Sequence, residues 1–327
     1  MNTFENISVV VCTYNRSYQL TNCLNSIKNQ SVNNFEIIVI DDCSNDKTYD
    51  IANQLLLNFP QKKIHRNEQN MGLSYSRNIG AELASNEIVL FIDDDCIASR
   101  SWIEEMVKPF KDSRIGLTFG SIIDPPPINL AMVAAKGQYK RCQNEGYCDS
   151  VASGGGNMAV RRDIYLNNPI NGYTLEDWEL CHRVINQNRL IYYCPKASVN
   201  HEHYHNLHTL LKQRYRYGVG LTWFRRKFKT APVNLQMALA VACLVLSPCI
   251  LFFPVLMLFV IPVLFLSLGY LFVKDFRKDV KSLKECIVTS PLFLLIIISE
   301  FVGRLIGYFT SPKQINFGTD YLKKNRT

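Results

Sequence analysis

At residues 88–95 five apolar side chains, Ile88, Val89, Leu90, Phe91 and Ile92, run straight into three carboxylates, Asp93, Asp94 and Asp95. An unbroken apolar run of this length suits a strand buried on both faces, as in a parallel sheet. The carboxylates then emerge at the strand's C-terminal end, where open parallel sheets bind ligands. Three adjacent carboxylates repel one another and are costly to desolvate. A hard divalent cation, Mg2+ or Mn2+, relieves that repulsion and can hold a diphosphate as well. A strand ending in a solvated acidic turn is the alternative, and the triplet alone leaves both open.

The segments around this strand repeat its logic. Residues 7–12 and 35–40 read as two more buried strands, the second closed by Asp41 and Asp42, and residues 64–66 as a short third. Leu20, Cys23, Leu24 and Ile27 fall at helical spacing over 17–29. Asp46 can cap a helix reaching about residue 59, with Ile51, Leu55 and Leu56 inward, and Ser74 can start another to about 84. A helix is expected around 102–110. Four strand–helix alternations in about 110 residues predict a mostly parallel, Rossmann-like α/β sheet. After Pro125-Pro126-Pro127 the alternation breaks. A helix or lid over 130–165 ends in the Gly154–Gly156 run, a helix follows from Thr174 to about 186, and a late strand covers 190–193.

The net charge is +8 over 327 residues, and the excess is local. Lys212, Arg214, Arg216, Arg225, Arg226, Lys227 and Lys229 precede a tract, 235–273, that holds no charged residue. That placement favours a membrane surface over nucleic acid as partner. As helix the tract would be about 58 Å long, roughly twice a hydrocarbon core, so a hairpin of two spans is expected. The layout is then a catalytic domain over 1–205, a basic aromatic interfacial helix over 206–232, a transmembrane hairpin over 233–273 and a basic cytoplasmic loop over 274–285. A third membrane segment over 286–310, spanning or re-entrant, and a polar tail over 311–327 complete it. In the third segment Glu300 and Arg304 can pair, and Gly303 with Gly307 forms a small-x-x-x-small packing pattern. The 11 cysteines show no C-x-x-C spacing, which argues against zinc and disulfides and for a reducing cytosol. No signal peptide is visible at the N-terminus.

Several motifs, taken in order, resemble glycosyltransferase family 2. They are Ile7-Ser8-Val9-Val10-Val11-Cys12-Thr13-Tyr14-Asn15-Arg16, Glu36 to Asp42 with Asp46-Lys47-Thr48, Asn70-x-Gly72 leading to Arg77-Asn78, Asp93-Asp94-Asp95, and Glu176-Asp177. The resemblance spans about 5–205. It implies a GT-A fold, a nucleotide-sugar donor (a UDP-sugar is favoured), a divalent metal and inversion at the anomeric carbon. It also implies that Asp42 faces the base, that Asp95 binds the metal, and that Asp93 binds the ribose or the metal.

Residue by residue, Thr13, Asn15 and Arg16 end the first strand, where turn backbone can meet a nucleotide or simply connect to a helix. Asp42 can accept hydrogen bonds from a base or ribose, or cap the next helix. Arg77 can pair with donor phosphates. Extended-chain alternation puts Asp93 and Asp95 on one side, and Asp94 is a further donor-binding candidate. Asp177 is the expected base for the acceptor hydroxyl, mounted with Glu176 at a helix start that Thr174-x-x-Asp177 could cap. Gly155, Gly156 and Asn157 permit close approach of acceptor or donor sugar. His201, in a cluster with His203 and His205, is an extra candidate metal ligand. Gln213, Arg216 and Tyr217 resemble the Q-x-x-R-W motif of processive synthases, with Tyr for Trp.

These readings predict a multi-pass inner-membrane glycosyltransferase, catalytic domain in the cytoplasm, acting on a lipid-linked or glycan acceptor for the cell envelope. A processive polysaccharide synthase subunit and a catalytically silent membrane scaffold are the alternatives.

Overall fold

The computed structural model describes residues 7–129, 131–132, 144–149, 154–167, 170, 175–202, 206–229 and 283–310. The expected hairpin over 233–273, most of the basic loop, the tail, Thr174, His203 and His205 lie outside these. The chain divides into two compact units. One holds the described residues up to Pro125 and those in 141–203; the other holds those in 126–140 and 204–311.

The first unit is built on a nine-stranded sheet. Its strands are β1 (Ile7–Thr13), β2 (Glu36–Asp41), β3 (Lys62–Arg66), β4 (Ile88–Asp93), β5 (Cys96–Ala98), β6 (Ile115–Ile123), β7 (Gly146–Cys148), β8 (Asn157–Arg161) and β9 (Leu190–His201). The order is β3-β2-β1-β4-β8-β6-β9-β5, with β7 on β9. Helices α1 (Ser17–Lys28), α2 (Thr48–Leu55), α3 (Leu73–Leu83), α4 (Trp102–Val107), α5 (Arg162–Leu166) and α6 (Glu176–Asn186) cover it.

The apolar runs are unbroken because both faces are covered. Val9, Val11, Ile37, Val39, Leu90 and Ile92 pack with Leu20, Cys23, Leu24 and Ile27 of α1 and Trp102 of α4. Their neighbours Val10, Ile38, Ile40, Val89 and Phe91 pack with Ala81 of α3, Ile164 of α5, and Leu180 and Val184 of α6. Each such side chain contributes about 1.5–3 kcal/mol by burial, so a one-residue slip in any central strand is strongly disfavoured.

The sheet is mixed, not mostly parallel. β1 pairs in parallel with β2 and β4, and β2 with β3. β8 then enters antiparallel to both β4 and β6. β9 runs parallel to β6, and β5 and β7 lie antiparallel to β9. The first four residues of β8, Asn157 to Val160, are all buried, and a doubly buried strand carries no mark of direction in its pattern. The reversal has a positional effect. Thr13, Asp41, Asp93, Ile123 and His201 all end strands at one rim, and β8 starts there, with Asn157 opposite Ile92.

Local boundaries follow local chemistry. The second helix runs only from Thr48 to Leu55, and Thr48, Ala52 and Leu56 are its buried positions. Asp46 caps by accepting the Thr48 N–H at 2.9 Å. The helix at Trp102 becomes a 3₁₀ turn, Lys108–Lys111, where Pro109 has no N–H to continue it. Helix α3 lies so close to β1 that a Cβ on Gly80 would sit 2.3 Å from Val10 Cγ1.

The second unit pairs α7 (Leu207–Phe228) with α8 (Leu283–Phe309). Asn206 and Thr209 form a reciprocal capping box at the start of α7. The two helices run in the same direction: Ser299 bonds the Leu211 carbonyl, Thr222 the Arg304 carbonyl, and Trp223 the Thr310 carbonyl. Glycines set the approach, since a Cβ on Gly218 would meet the Glu300 carbonyl at 2.0 Å and one on Gly303 the Tyr215 carbonyl at 2.0 Å. Gly307 abuts Val219, so the small-residue pattern read from the sequence lies in this contact. Glu300 and Arg304 pair at 2.7 Å. Among the described residues, no helix is long and apolar enough to cross a membrane.

Substituting Gly80→Ala forces α3 off β1 and is expected to cost about 1–3 kcal/mol by overpacking. Thermal unfolding of the full chain in detergent checks this, and an unchanged Tm would refute the tight contact.

Candidate active site

The rim gathers several carboxylates in a small space, and basic side chains from distant segments pair with them. Arg16 Nη1 lies 2.8 Å from Asp94 Oδ1 and 2.7 Å from Asp95 Oδ2. Arg77, only 2 % exposed, donates from Nη2 to Asp93 Oδ1 at 2.7 Å and from Nη1 to Glu176 Oε1. His201 faces Asp95 through Nε2 at 3.4 Å and Asp124 through Nδ1 at 3.2 Å.

The triplet does not alternate as an extended chain would. β4 ends at Asp93 and the chain turns at Asp94 and Asp95. Asp94 and Asp95 therefore share Arg16, while Asp93 turns to Arg77. Burial pushes the Asp94 carboxyl up to about 6 against the pull of Arg16. Burial also opposes charge on His201, but its bonds to Asp124 and Asp95 win and raise it to about 9.

Among the described residues, Asp95, Cys96 and His201 offer donor atoms within 4.8 Å of one another. Cys96 is buried, and burial holds its thiol protonated; the Asp95 carboxylate is the hard-cation donor there, and the His201 imidazole joins it as a ligand once a cation displaces its proton. This set fits a divalent cation. Asp93 stands outside it, with one oxygen given to Arg77 and the other against Gly156. Asp124 carries no signal in the sequence comparable to that of Asp93: it follows β6, whose residues alternate with Gly116, Thr118, Gly120 and Ser121 rather than forming an unbroken apolar run.

Four residues expected to meet ligand are engaged by the protein itself. Asp42 accepts the Met71 N–H at 2.8 Å and the Gly72 N–H at 2.7 Å, together with the Asn67 side chain at 2.7 Å. It anchors the turn at Gly72, whose φ of +85° suits glycine. Arg77 is consumed by Asp93 and Glu176 and has no surface to offer a phosphate. Asn157 is fully buried, accepts from Trp102 Nε1 at 2.7 Å and donates to the Ser121 and Ala197 carbonyls at 2.9 Å each. Pleat alternation sends it to the Trp102 face of the sheet. Glu176 is held by Arg77.

The glycines do allow close approach, but of the protein's own groups. A Cβ on Gly155 would lie 2.9 Å from Arg77 Nη1, and one on Gly156 2.4 Å from Asp93 Oδ2. Thr13 is buried and its carbonyl accepts the Asp42 N–H at 2.9 Å. Asn15 takes φ +52°, a conformation asparagine tolerates, and bonds Ser44 and Asn45. Arg16 remains 38 % exposed.

Glu176 and Asp177 open α6. The residue before them, Leu175, is left-handed at φ +79° and gives no side-chain cap; the capping box expected from Thr174 lies outside the described residues. Such a φ is costly for leucine and recurs at functional sites. The N-terminus of this helix favours anions. Asp177 Oδ1 accepts the Trp178 N–H at 2.9 Å. Burial, with Glu176 beside it, raises the Asp177 carboxyl to about 7. A carboxylate that titrates near neutrality can take up a proton during reaction.

The geometry has counterparts. The family model described as Glycosyl transferase family group 2 matches residues 88–274, more than half of the chain, and that described as Glycosyl transferase family 2 matches residues 8–167. The glucosyl-dolichyl phosphate glucuronosyltransferase of Haloferax volcanii is 26% identical over 223 residues, 60% of this chain and 69% of that protein. The mannosyltransferase PcManGT from Pyrobaculum calidifontis, solved in complex with GDP-Man and Mn2+, superposes with a TM-score of 0.59 at 16% identity, covering 93% of this chain and 88% of that one. GalNAc-T7, solved with UDP, GalNAc and Mn2+, gives 0.50 at 20% identity over 62% of this chain and 44% of that one. At those identities the two structures speak for a shared GT-A fold. With its rim of carboxylates on a mixed α/β sheet and more than half its length matched, the chain belongs to the family 2 glycosyl transferases.

Proposed function

We propose that the chain transfers a sugar from a nucleotide-diphosphate sugar, with inversion, to a lipid-linked or membrane-proximal acceptor. The observation that carries this is the single guanidinium of Arg77, which joins Asp93 to Glu176 and so brings the acidic strand end and the Glu176–Asp177 pair to one rim.

In this reading Asp177 takes the proton of the acceptor hydroxyl as its oxygen attacks the anomeric carbon. The bond from that carbon to the diphosphate breaks on the opposite face, and the nucleoside diphosphate leaves with the electron pair. Arg16, the most exposed cation at the triplet, faces the diphosphate. Asp95 and His201 would hold Mg2+ or Mn2+, whose charge offsets that developing on the leaving group. Neighbours solved with Mn2+, UDP and GDP-Man support metal and donor class.

The acceptor class is supported by the dolichyl phosphate in the name of the Haloferax volcanii relative. A multi-pass membrane location, with the catalytic unit in the cytoplasm, is supported by the charge-free tract 235–273. The exposed stripe Leu295, Val302, Ile306 and Phe309 on α8 agrees with it, beside exposed Arg225, Arg226, Lys227 and Lys229 at the end of α7. Apolar stripes flanked by cations suit an anionic bilayer.

Three outcomes are expected. Transfer should rise with pH through about 7, because Asp177 acts as base only when ionised above that value. Asp177→Asn should flatten the profile and lower kcat by roughly 10²–10⁴-fold; a mutant retaining the pH profile would remove Asp177 from the role. Chelation should abolish transfer and Mn2+ or Mg2+ restore it, with His201→Ala needing about tenfold more metal or beyond; an unchanged metal requirement in that variant would count against the ligand set. Incubation with extracted lipid acceptors should give single-sugar addition, whereas long polymer would favour a processive synthase.

A further inference from the structure

Arg77 is an arginine in an unusual position. It is almost fully buried on α3, one turn in, with the Phe91 ring 6.0 Å from its guanidinium carbon. A buried guanidinium persists only where carboxylates pair with it. Its two partners, Asp93 and Glu176, come from the end of β4 and the start of α6. Two glycines roof the array with no room for a methyl group: Gly155 against Arg77 and Glu176, Gly156 against Asp93.

From this arrangement we infer that Arg77 is a positioning residue, a clamp that fixes the spacing between the strand end bearing Asp93 and the helix start bearing Asp177, and that it does not bind donor. Glu176 is its second jaw and does not bind acceptor. Gly155 and Gly156 are glycines because the clamp occupies the space a Cβ would need. Leu175 gives α6 no side-chain cap and is itself left-handed. The Arg77–Glu176 pair therefore helps to hold Glu176, and with it the backbone of Asp177, in place. Lysine cannot reproduce the clamp, since one ammonium cannot present two divergent N–H arms to carboxylates on opposite sides.

The inference deepens the proposed transferase reading, and its test separates the two. The full chain in detergent is compared as wild type, Arg77→Lys, Glu176→Gln, the double variant and Gly155→Ala. UDP and GDP, each with Mn2+, serve as binding probes. For each single variant, kcat should fall about a hundredfold, as for a small misplacement of reacting groups. Affinity for the bound probe should stay within about threefold, and the double variant should lose little more than the worse single one. Hydrogen exchange of the amides at 175–179 should quicken at least about tenfold in Arg77→Lys and Glu176→Gln while those of α1 stay protected. A large loss of probe affinity with kcat intact would make Arg77 a donor ligand and overturn the inference. Additive losses, or unchanged exchange at 175–179, would overturn it equally. If the wild type transfers no sugar, the functional reading fails, and the exchange measurement still decides the clamp.

Discussion

Concentrated negative charge at one rim is the constraint from which the rest of the site follows. Asp41, Asp93, Asp94, Asp95, Asp124 and Glu176 crowd there, and each is met by a cation from elsewhere: Arg66, Arg77, Arg16 or His201. Partly desolvated carboxylates gain from such partners far more than exposed ones do. The compensation is incomplete at Asp94, where burial still outweighs Arg16 and holds the carboxyl near 6. A rim of this kind is prepared for additional positive charge and already shaped to direct it.

The polar contacts are as structural as the apolar core. Asp42 closes the turn at Gly72, and through it the start of α3. Asn157 ties Trp102 to two backbone carbonyls under the sheet. Arg161 and Arg162 donate to the carbonyls of Ile115, Phe110, Ala81 and Glu82 on the far side. Leaving any buried partner of this kind unpaired costs about 1–3 kcal/mol.

Much of the fold could be read from the residues because β1, β2 and β4 are buried twice over, and that demand writes a continuous apolar run. Strand direction left no such trace, so the reversal at β8 was illegible. The residues name the acidic strand ends and the Glu176–Asp177 segment, and the structure adds which of their atoms the protein itself engages. Asp42 and Asn157 show why: a polar side chain at a strand end can meet a ligand or tie a loop, and its identity is the same in both cases. Arg77 reads as a partner for donor phosphates until Asp93 and Glu176 are seen on either side of it. The alternation argument failed at Asp94 because the strand stops one residue earlier.

The reversed polarity of β8 bears on how such a protein can diversify. The connection that leaves β6 at Ile123 and re-enters at Gly154 starts and finishes at the acidic rim, between strands whose pairing is locked by buried side chains. Insertions or exchanges there that spare β7 leave the registers of β6 and β8 intact. Segments such as 84–87 and 112–114 join the sheet at the opposite rim, where change is remote from chemistry. Variation at the acidic rim therefore has a natural address in this connection, separable from the strands that end in Thr13 and Asp93.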